Sequence, residues 1–296
     1  MRVTSETMAM RSLDRLQSRM QSYEHSQSKL ATGRTLLQPS DDPSGARRSL
    51  SLRSDLRARE QESRNAADAV ARLNVADTQL QAAMTRMQRV QELAGRGASL
   101  TSASERHALA VEVREIADEI AEIANTRHQR QPLFAGYTDG PAVERDPSGA
   151  WTSNGDGDEI RRRISDAETV RANITAAEWL GFDADGEDLL TTLDRLVGEL
   201  SAGPAGEVSA RLADLQAGAD RIGDGLAVIG AAANRVESAS SRNQQLLQTL
   251  RTELSDVEDV DVAEGVMELQ VQQVAFEATL QAIGRALPPS LAAFLR

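Results

Sequence analysis

Between Val262 and Leu287 apolar side chains return in alternating steps of four and three. The series runs Val262, Val266, Leu269, Gln273, Phe276, Leu280, Ile283 and Leu287, with one glutamine among them. That is the period of a coiled-coil seam, so the stretch predicts a long helix with one adhesive face. No glycine or proline interrupts it between Val266 and Ile283, and at about 1.5 Å per residue the stripe extends for about 40 Å. Near the other end of the chain Leu13, Leu16, Met20, Tyr23, Gln27 and Leu30 alternate in the same way, again with a glutamine in one position. The two stretches are expected to be partners.

The intervening chain reads as further helices around an irregular middle. A helix is expected from about Glu6 to Thr32, with Gly33 as its stop. In Leu36-Leu37-Gln38-Pro39-Ser40-Asp41-Asp42-Pro43-Ser44-Gly45 two prolines force extended backbone before them, while Ser and Asp supply caps; a sharp break follows. Adjacent carboxylates at Asp41 and Asp42 are read as turn and cap residues, not as an acid–base pair. A second helix is predicted from Ala46 to roughly Gly95, its stripe being Leu73, Leu80, Met84, Met87 and then Val90 or Gln91. The third starts at Ser104, carries Leu109, Val113, Ile116, Ile120 and Ile123, and stops before Pro132.

Between Pro132 and Glu187 Gly, Pro, Asp and Asn cluster and alternation replaces the helical period. Trp151-Thr152-Ser153, the turn Asn154-Gly155-Asp156-Gly157-Asp158 and Ile160 to Ile164 predict strand, turn, strand, and Thr169 to Ile174 a third strand. The turn is a poor calcium loop: Glu159 and Ser165 stand where glycine and a bidentate glutamate are needed. Helical signal resumes at Leu189, with Leu193, Leu196, Val197 and Leu200, and breaks at Ala202-Gly203-Pro204-Ala205-Gly206. A long helix then runs from about Val208 past Leu254, with Gly223, Gly225 and Gly230 as places of close backbone approach. The joint Ser255 to Asp261 is acidic and favours the N-terminus of the last helix. The fold class expected is mainly α: a long bundle or coiled coil built from both chain ends, with a small inserted β domain. Three parts are anticipated: 1–45 with 255–296 as a terminal coiled coil, 46–131 with 187–254 as a helical rod, and 132–186 as the β insertion.

Composition narrows the function. Of 296 residues 40% are hydrophobic but only 3% aromatic, which suits close-packed helices better than an aromatic-lined ligand pocket. Cysteine is absent, which excludes disulfides and thiolate metal sites. A net charge of −12 argues against nucleic-acid binding through phosphate neutralisation, and Arg161-Arg162-Arg163 reads as a solvated strand face. No apolar run is long enough to insert into a membrane, and no cleavable leader is evident at the start. His25, His107 and His128 are scattered, Val228 stands where a dinucleotide fingerprint needs its third glycine, and the one lysine, Lys29, follows no glycine-rich loop. Asn173-Ile174-Thr175 is read as a strand end. No catalytic residue, metal ligand or cofactor site is expected, and the chain is not expected to be an enzyme.

Leu30-Ala31-Thr32-Gly33-Arg34 with Pro39 to Gly45 resembles the N-terminal signature of the bacterial flagellin superfamily. Gly230-Ala231-Ala232-Ala233-Asn234-Arg235-Val236-Glu237, Asp259-Val260-Asp261 and the glutamine-containing last helix resemble its C-terminal signature. Within the superfamily, Met1-Arg2-Val3-Thr4, the Asp-Asp-Pro turn, and Asn125-Thr126-Arg127 leading to Leu133-Phe134-Ala135-Gly136 are similar to the hook-filament junction branch. Arg130 and Pro132 depart from it, standing where a glycine and a tyrosine are usual. The resemblance implies a flagellar structural protein, exported without a cleaved leader by the type III apparatus and placed as a ring of its own copies. Its partners would be the hook-side junction protein (hook-associated protein 1), flagellin and an export chaperone; flagellin itself and a cytoplasmic signalling bundle are the alternative readings. Assembly is expected through Leu13, Leu16, Met20, Tyr23, Leu30, Val262, Val266, Leu269, Phe276, Leu280, Ile283 and Leu287. The flanks before about Leu37 and after about Val257 are expected to order only when neighbours cover these side chains.

Overall fold

In a computed structural model that describes residues 2–100, 102–184, 187–202 and 205–286, the chain forms long helices joined through a region of short hairpins. The helices are α1 (Arg2–Thr32), α2 (Pro43–Ser99), α3 (Ala103–Ala124), α4 (Ala176–Leu180), α5 (Leu189–Ala202), α6 (Ala205–Glu258) and α7 (Val262–Ala286). Six short strands, β1 (Arg127–His128), β2 (Gln131–Pro132), β3 (Val143–Arg145), β4 (Trp151–Ser153), β5 (Arg161–Arg163) and β6 (Thr169–Arg171), lie between α3 and α4. Two compact units divide the chain: Met1–Ala58 with Leu246–Arg296, and Arg59–Gln245.

The second unit holds the contiguous core. Along α2, Ala66, Leu73, Leu80, Met87 and Ala94 are buried every seven residues, and along α6 Val208, Leu215, Ile222, Ile229 and Val236 repeat the same interval. Seven-residue spacing keeps one face of each helix inward over many turns, so these are coiled-coil stripes. Leu109, Val113, Ile116 and Ile120 of α3 pack with Leu189, Leu193, Leu196 and Leu200 of α5 into that core. Met84, expected in the buried stripe, is half-buried at its margin. Of three glycines expected at close approaches only Gly225 is tight: a Cβ there would lie 3.0 Å from Ile174 Cδ1, whereas at Gly223 it would make an ordinary contact with Met84 Cε at 3.8 Å and at Gly230 it would meet open space.

Two helix ends differ from the sequence pattern. Helix α2 does not stop at Gly95 but continues to Ser99, because Gly97 lies beneath Leu200 where any side chain would collide; packing overrides its low propensity. Helix α3 stops at Ala124, where Asn125 leaves the helix and clamps β3: its Nδ2 donates to the Val143 carbonyl at 2.9 Å, and its Oδ1 accepts from Val143 N–H at 3.0 Å.

The strands also pair otherwise than expected. β4 pairs with β3, and β5 with β6, all antiparallel, so no hairpin closes over Asn154 to Asp158. That segment is used elsewhere: the Asp156 carboxylate accepts from the Tyr137 and Asp158 N–H groups, and Gly155 lies against Ala135. Asn173 is likewise structural, its amide bridging Ile160 N–H and the Asp158 carbonyl, while Thr175 caps α4. Phe134 and Trp179, both fully buried, meet edge to face at 5.7 Å. Buried Arg72 donates to the carbonyls of Pro132 and Leu133, and its burial holds the guanidinium below its usual pKa. The arginine run at β5 is paired with acids: Arg161 with Glu159, Arg162 with Asp68 at 3.1 Å, and Arg163 with Glu62 at 3.5 Å.

The β1–β2 hairpin turns on Gln129 and Arg130, at φ 50° and 69°. Positive φ at both central residues marks a type I′ turn, which favours Asn-Gly, and each non-glycine residue there costs about 1 kcal/mol. Arg130→Gly removes that strain but frees the unfolded chain. The expected net gain is about 0.5 kcal/mol, seen by calorimetry as a rise of about 1–2 °C in the melting of the second unit; a fall in midpoint would contradict the turn assignment.

Candidate assembly surface

Helices α1 and α7 of the first unit are antiparallel partners. Leu30 lies on Gly265, where a Cβ would come 2.8 Å from its Cδ2, and the Tyr23 and Phe276 rings stack at 6.3 Å. Further along, Arg15 and Arg19 face Ala282 and Ile283 across a groove. This agrees with the pairing expected from the two seams, but only half of each seam is used.

On α7 the residues that lose exposure include Gly265, Leu269, Gln272, Ala275, Phe276, Thr279 and Ile283; on α1 they include Ser12, Leu16, Ser22, Tyr23, Ser26 and Leu30. Leu16, Tyr23, Leu30, Leu269, Phe276 and Ile283 are therefore shared with the expected seam, and all are only half-buried. Its other column stays exposed: Leu13 and Met20 on α1, and Val262, Val266 and Leu280 on α7. Leu287 lies outside the described residues. In place of that column stand serines, Gly265 and Thr279, which let the helix backbones approach closely. Leu13, Val266 and Leu280 each lie one position C-terminal to a contact residue, a step of about 100° around the helix. Because the helices are antiparallel, that step carries both free columns to the same side of the pair, where they form one two-ridged apolar face.

The contact is weak by composition. Among the described residues no apolar side chain of α1 or α7 is fully buried, and the buried Gln272 Oε1 has no hydrogen-bond partner. Met267, Val271 and Val274 are exposed as well, the two valines at 65%, on a third side of α7. A helix apolar on several sides is one meant to be enclosed.

What holds the pair at its root is polar. Helix α1 ends at Gly33, whose φ of 69° favours glycine, and residues 33–35 then pair with 258–260. Thr35 N–H donates to the Glu258 carbonyl at 2.7 Å, Val260 N–H to the Gly33 carbonyl at 3.0 Å, and Thr35 Oγ1 to the Asp259 carbonyl at 3.0 Å. Buried Glu258 receives both arms of Arg53, Nε at 2.7 Å and Nη2 at 2.6 Å, and the Ser49 hydroxyl. The Arg53 hydrogen bonds, with the Ser49 hydroxyl, hold the Glu258 carboxyl below its usual pKa against the opposing effect of burial. Nearby Asp41 accepts from the Leu37 and Gln38 N–H groups and Asp42 from Ser44, so both carboxyls are also lowered, by backbone amides and by the Ser44 hydroxyl respectively. The Asp-Asp turn is thus a cap. Gly45 is required there, since a Cβ would strike the Asp42 carboxylate.

Sequence reasoning missed the Glu258 clasp and the small-residue column. Serines 12 and 26, two heptads apart, and Gly265 were the available signals. Among the described residues no group of three or more His, Asp or Glu side chains is arranged to hold a metal, and no helix is long and apolar enough to cross a membrane.

Family comparisons match this architecture from both ends. The profile of the bacterial flagellin N-terminal helical region matches residues 3–139, and that of the C-terminal helical region residues 218–291. Among solved structures, the chain is similar to one named as a flagellar hook-associated protein from Vibrio parahaemolyticus, with TM-score 0.68, 22% identity, and coverage of 74% of this chain and 100% of the other. It is similar to hook associated protein-3 from Legionella pneumophila at TM-score 0.64 and 15% identity, covering 70% and 98%. It is also similar to FlgL from Xanthomonas campestris at 0.62 and 18%, covering 69% and 99%. At these identities the likeness is one of fold. No curated protein matches the sequence.

A depressed folded-state pKa contributes stability that is fully present above the unfolded value and lost as pH falls through the folded one. The clasp is therefore expected to weaken below about pH 4.3, the ordinary glutamate range. Glu258→Gln is expected to cost about 1–2 kcal/mol at pH 7, since Arg53 is partly exposed, and to flatten that acid dependence. Denaturant unfolding at pH 7 and pH 3.5 measures both; equal loss at both pH values would refute the role given to the ion pair.

Proposed function

We propose that this chain, which belongs to the bacterial flagellin family, is a structural protein of the flagellum that forms the junction between hook and filament as a ring of its own copies. The observation carrying the reading is the α1–α7 pair, which buries one column of its seam and leaves the other as an apolar face. Covering Leu13, Met20, Val262, Val266 and Leu280 recovers roughly 1.5–3 kcal/mol for each large side chain fully buried, against roughly 1–2 kcal/mol per residue for ordering the backbone. Neighbouring subunits supply that cover. Assembly therefore runs through the twelve residues named from the sequence, in two roles: Leu16, Tyr23, Leu30, Leu269, Phe276 and Ile283 hold the pair, and the exposed column, with Leu287, meets other subunits.

Support for a junction rather than a filament role comes from the Asp41-Asp42-Pro43 turn and the Asn125 corner, both resembling the junction branch, and from the fold shared with hook-associated proteins. The hook-side junction protein lies on one side of the ring and flagellin on the other. Export runs through the flagellar type III apparatus, with a chaperone masking the apolar sides of α7 until delivery. The chain acts by assembly, without chemistry of its own.

Purified protein added to isolated hooks is expected to bind their ends and stop, as seen by electron microscopy; elongation of seeds into filaments would instead identify a filament subunit. In the dilute full-length monomer, amides of α1 and α7 are expected to exchange hydrogen much faster than those of the core stripe around Leu80 and Ile222, and to become protected on hooks. Slow exchange of α1 and α7 in the free monomer would overturn the assembly role given to them.

A further inference from the structure

The side of the α1–α7 pair opposite its apolar face is built differently at its two ends. At one end Arg15, Ser18 and Arg19 of α1 face Ala278, Thr279 and Ala282 of α7 across an open groove of about 830 Å³. Arg11, Arg15 and Arg19 follow one another at intervals of four on one helical face. All three are exposed and make no ion pair among the described residues; Asp14 lies between them in sequence. The same strip of α7, followed back two heptads from Ala278 and Ala282, begins with Glu264 and Glu268. These are exposed and unpaired among the described residues too. Lys29, the nearby cation on α1, acts on Asp41. One side of the pair thus carries a basic patch over small residues and an acidic patch, about 21 Å apart along the helix axis at 1.5 Å per residue.

We propose that this side binds a second copy of the chain, displaced along the helix axis by about 21 Å so that Arg15 and Arg19 of one copy meet Glu264 and Glu268 of the next. Among the described residues no ion pair satisfies either patch, and each is the charge complement of the other. Alanine, serine and threonine along the groove leave room for the neighbouring helix to come near enough for the ion pairs to form. Because different patches meet, the contact is heterologous and repeats from copy to copy. The inference rests on the junction reading, which says that copies stand side by side. It adds the partner surface and the stagger between them.

Charge reversal tests it with the full-length chain. R15E/R19E and E264R/E268R alter exposed positions, and circular dichroism checks that helicity is kept. Each variant alone is expected to need at least tenfold more protein to half-saturate hook ends and to lose low-salt self-association in sedimentation. An equimolar mixture of the two, and the fourfold variant carrying all four reversals, are expected to recover both, and added salt to weaken the wild type. Failure of the mixture and of the fourfold variant to recover, or unimpaired association of either half-variant, would overturn the stagger while leaving the junction reading intact. Wild-type protein that ignores hook ends but shows the same pattern of loss and rescue in solution would overturn the junction reading and keep the copy-to-copy contact.

Discussion

The antiparallel contact between α1 and α7 governs what this molecule can do, because it is incomplete by construction. Two helices side by side always leave most of each circumference open, and in a soluble pair that remainder is normally polar. Here serines, Gly265, Gln272 and Thr279 are turned inward, while Leu13, Met20, Val262, Val266 and Leu280 are turned outward. A pair optimised for its own stability has the reverse arrangement. The inward small residues set a close interhelical distance, and the outward apolar ones supply the driving force for contacts with other molecules.

The second unit shows what the same chain does when it is built to be stable alone. Its heptad stripes on α2 and α6 carry fully buried Leu80, Met87, Leu215 and Ile222. The departures from regular structure are covered by specific groups: Arg72 takes the Pro132 and Leu133 carbonyls, and Asn125 clamps Val143. Buried polar groups with partners fix one arrangement at little net cost. The first unit has Leu52, Leu56 and Leu247 as its buried apolar side chains among the described residues, and relies on the Glu258 clasp and the capped Asp41-Asp42 turn to hold its helices in place. Those charge-assisted bonds orient the pair without closing its apolar face.

Periodicity along the chain was enough to pick out the long helices but not the short α4, together with the partnership of α1 with α7, the break between Leu36 and Gly45, and the reading of Asp41 and Asp42 as caps. These follow from local rules: side-chain spacing decides which residues share a face, and proline, glycine and short polar side chains decide where a helix can begin or end. Local rules could not say how far each helix is rotated within its contact. That was decided in three dimensions, where Leu30 settled on Gly265 and the seam divided into an inner and an outer column. Strand pairing was settled the same way, by Asp156 binding the Tyr137 and Asp158 N–H groups. So was the junction of Glu258 with Arg53, two residues 205 positions apart, which no spacing in the sequence connects. Pattern fixes the faces of an element through its own geometry, but the neighbour each face meets depends on distances that exist only once the chain has folded.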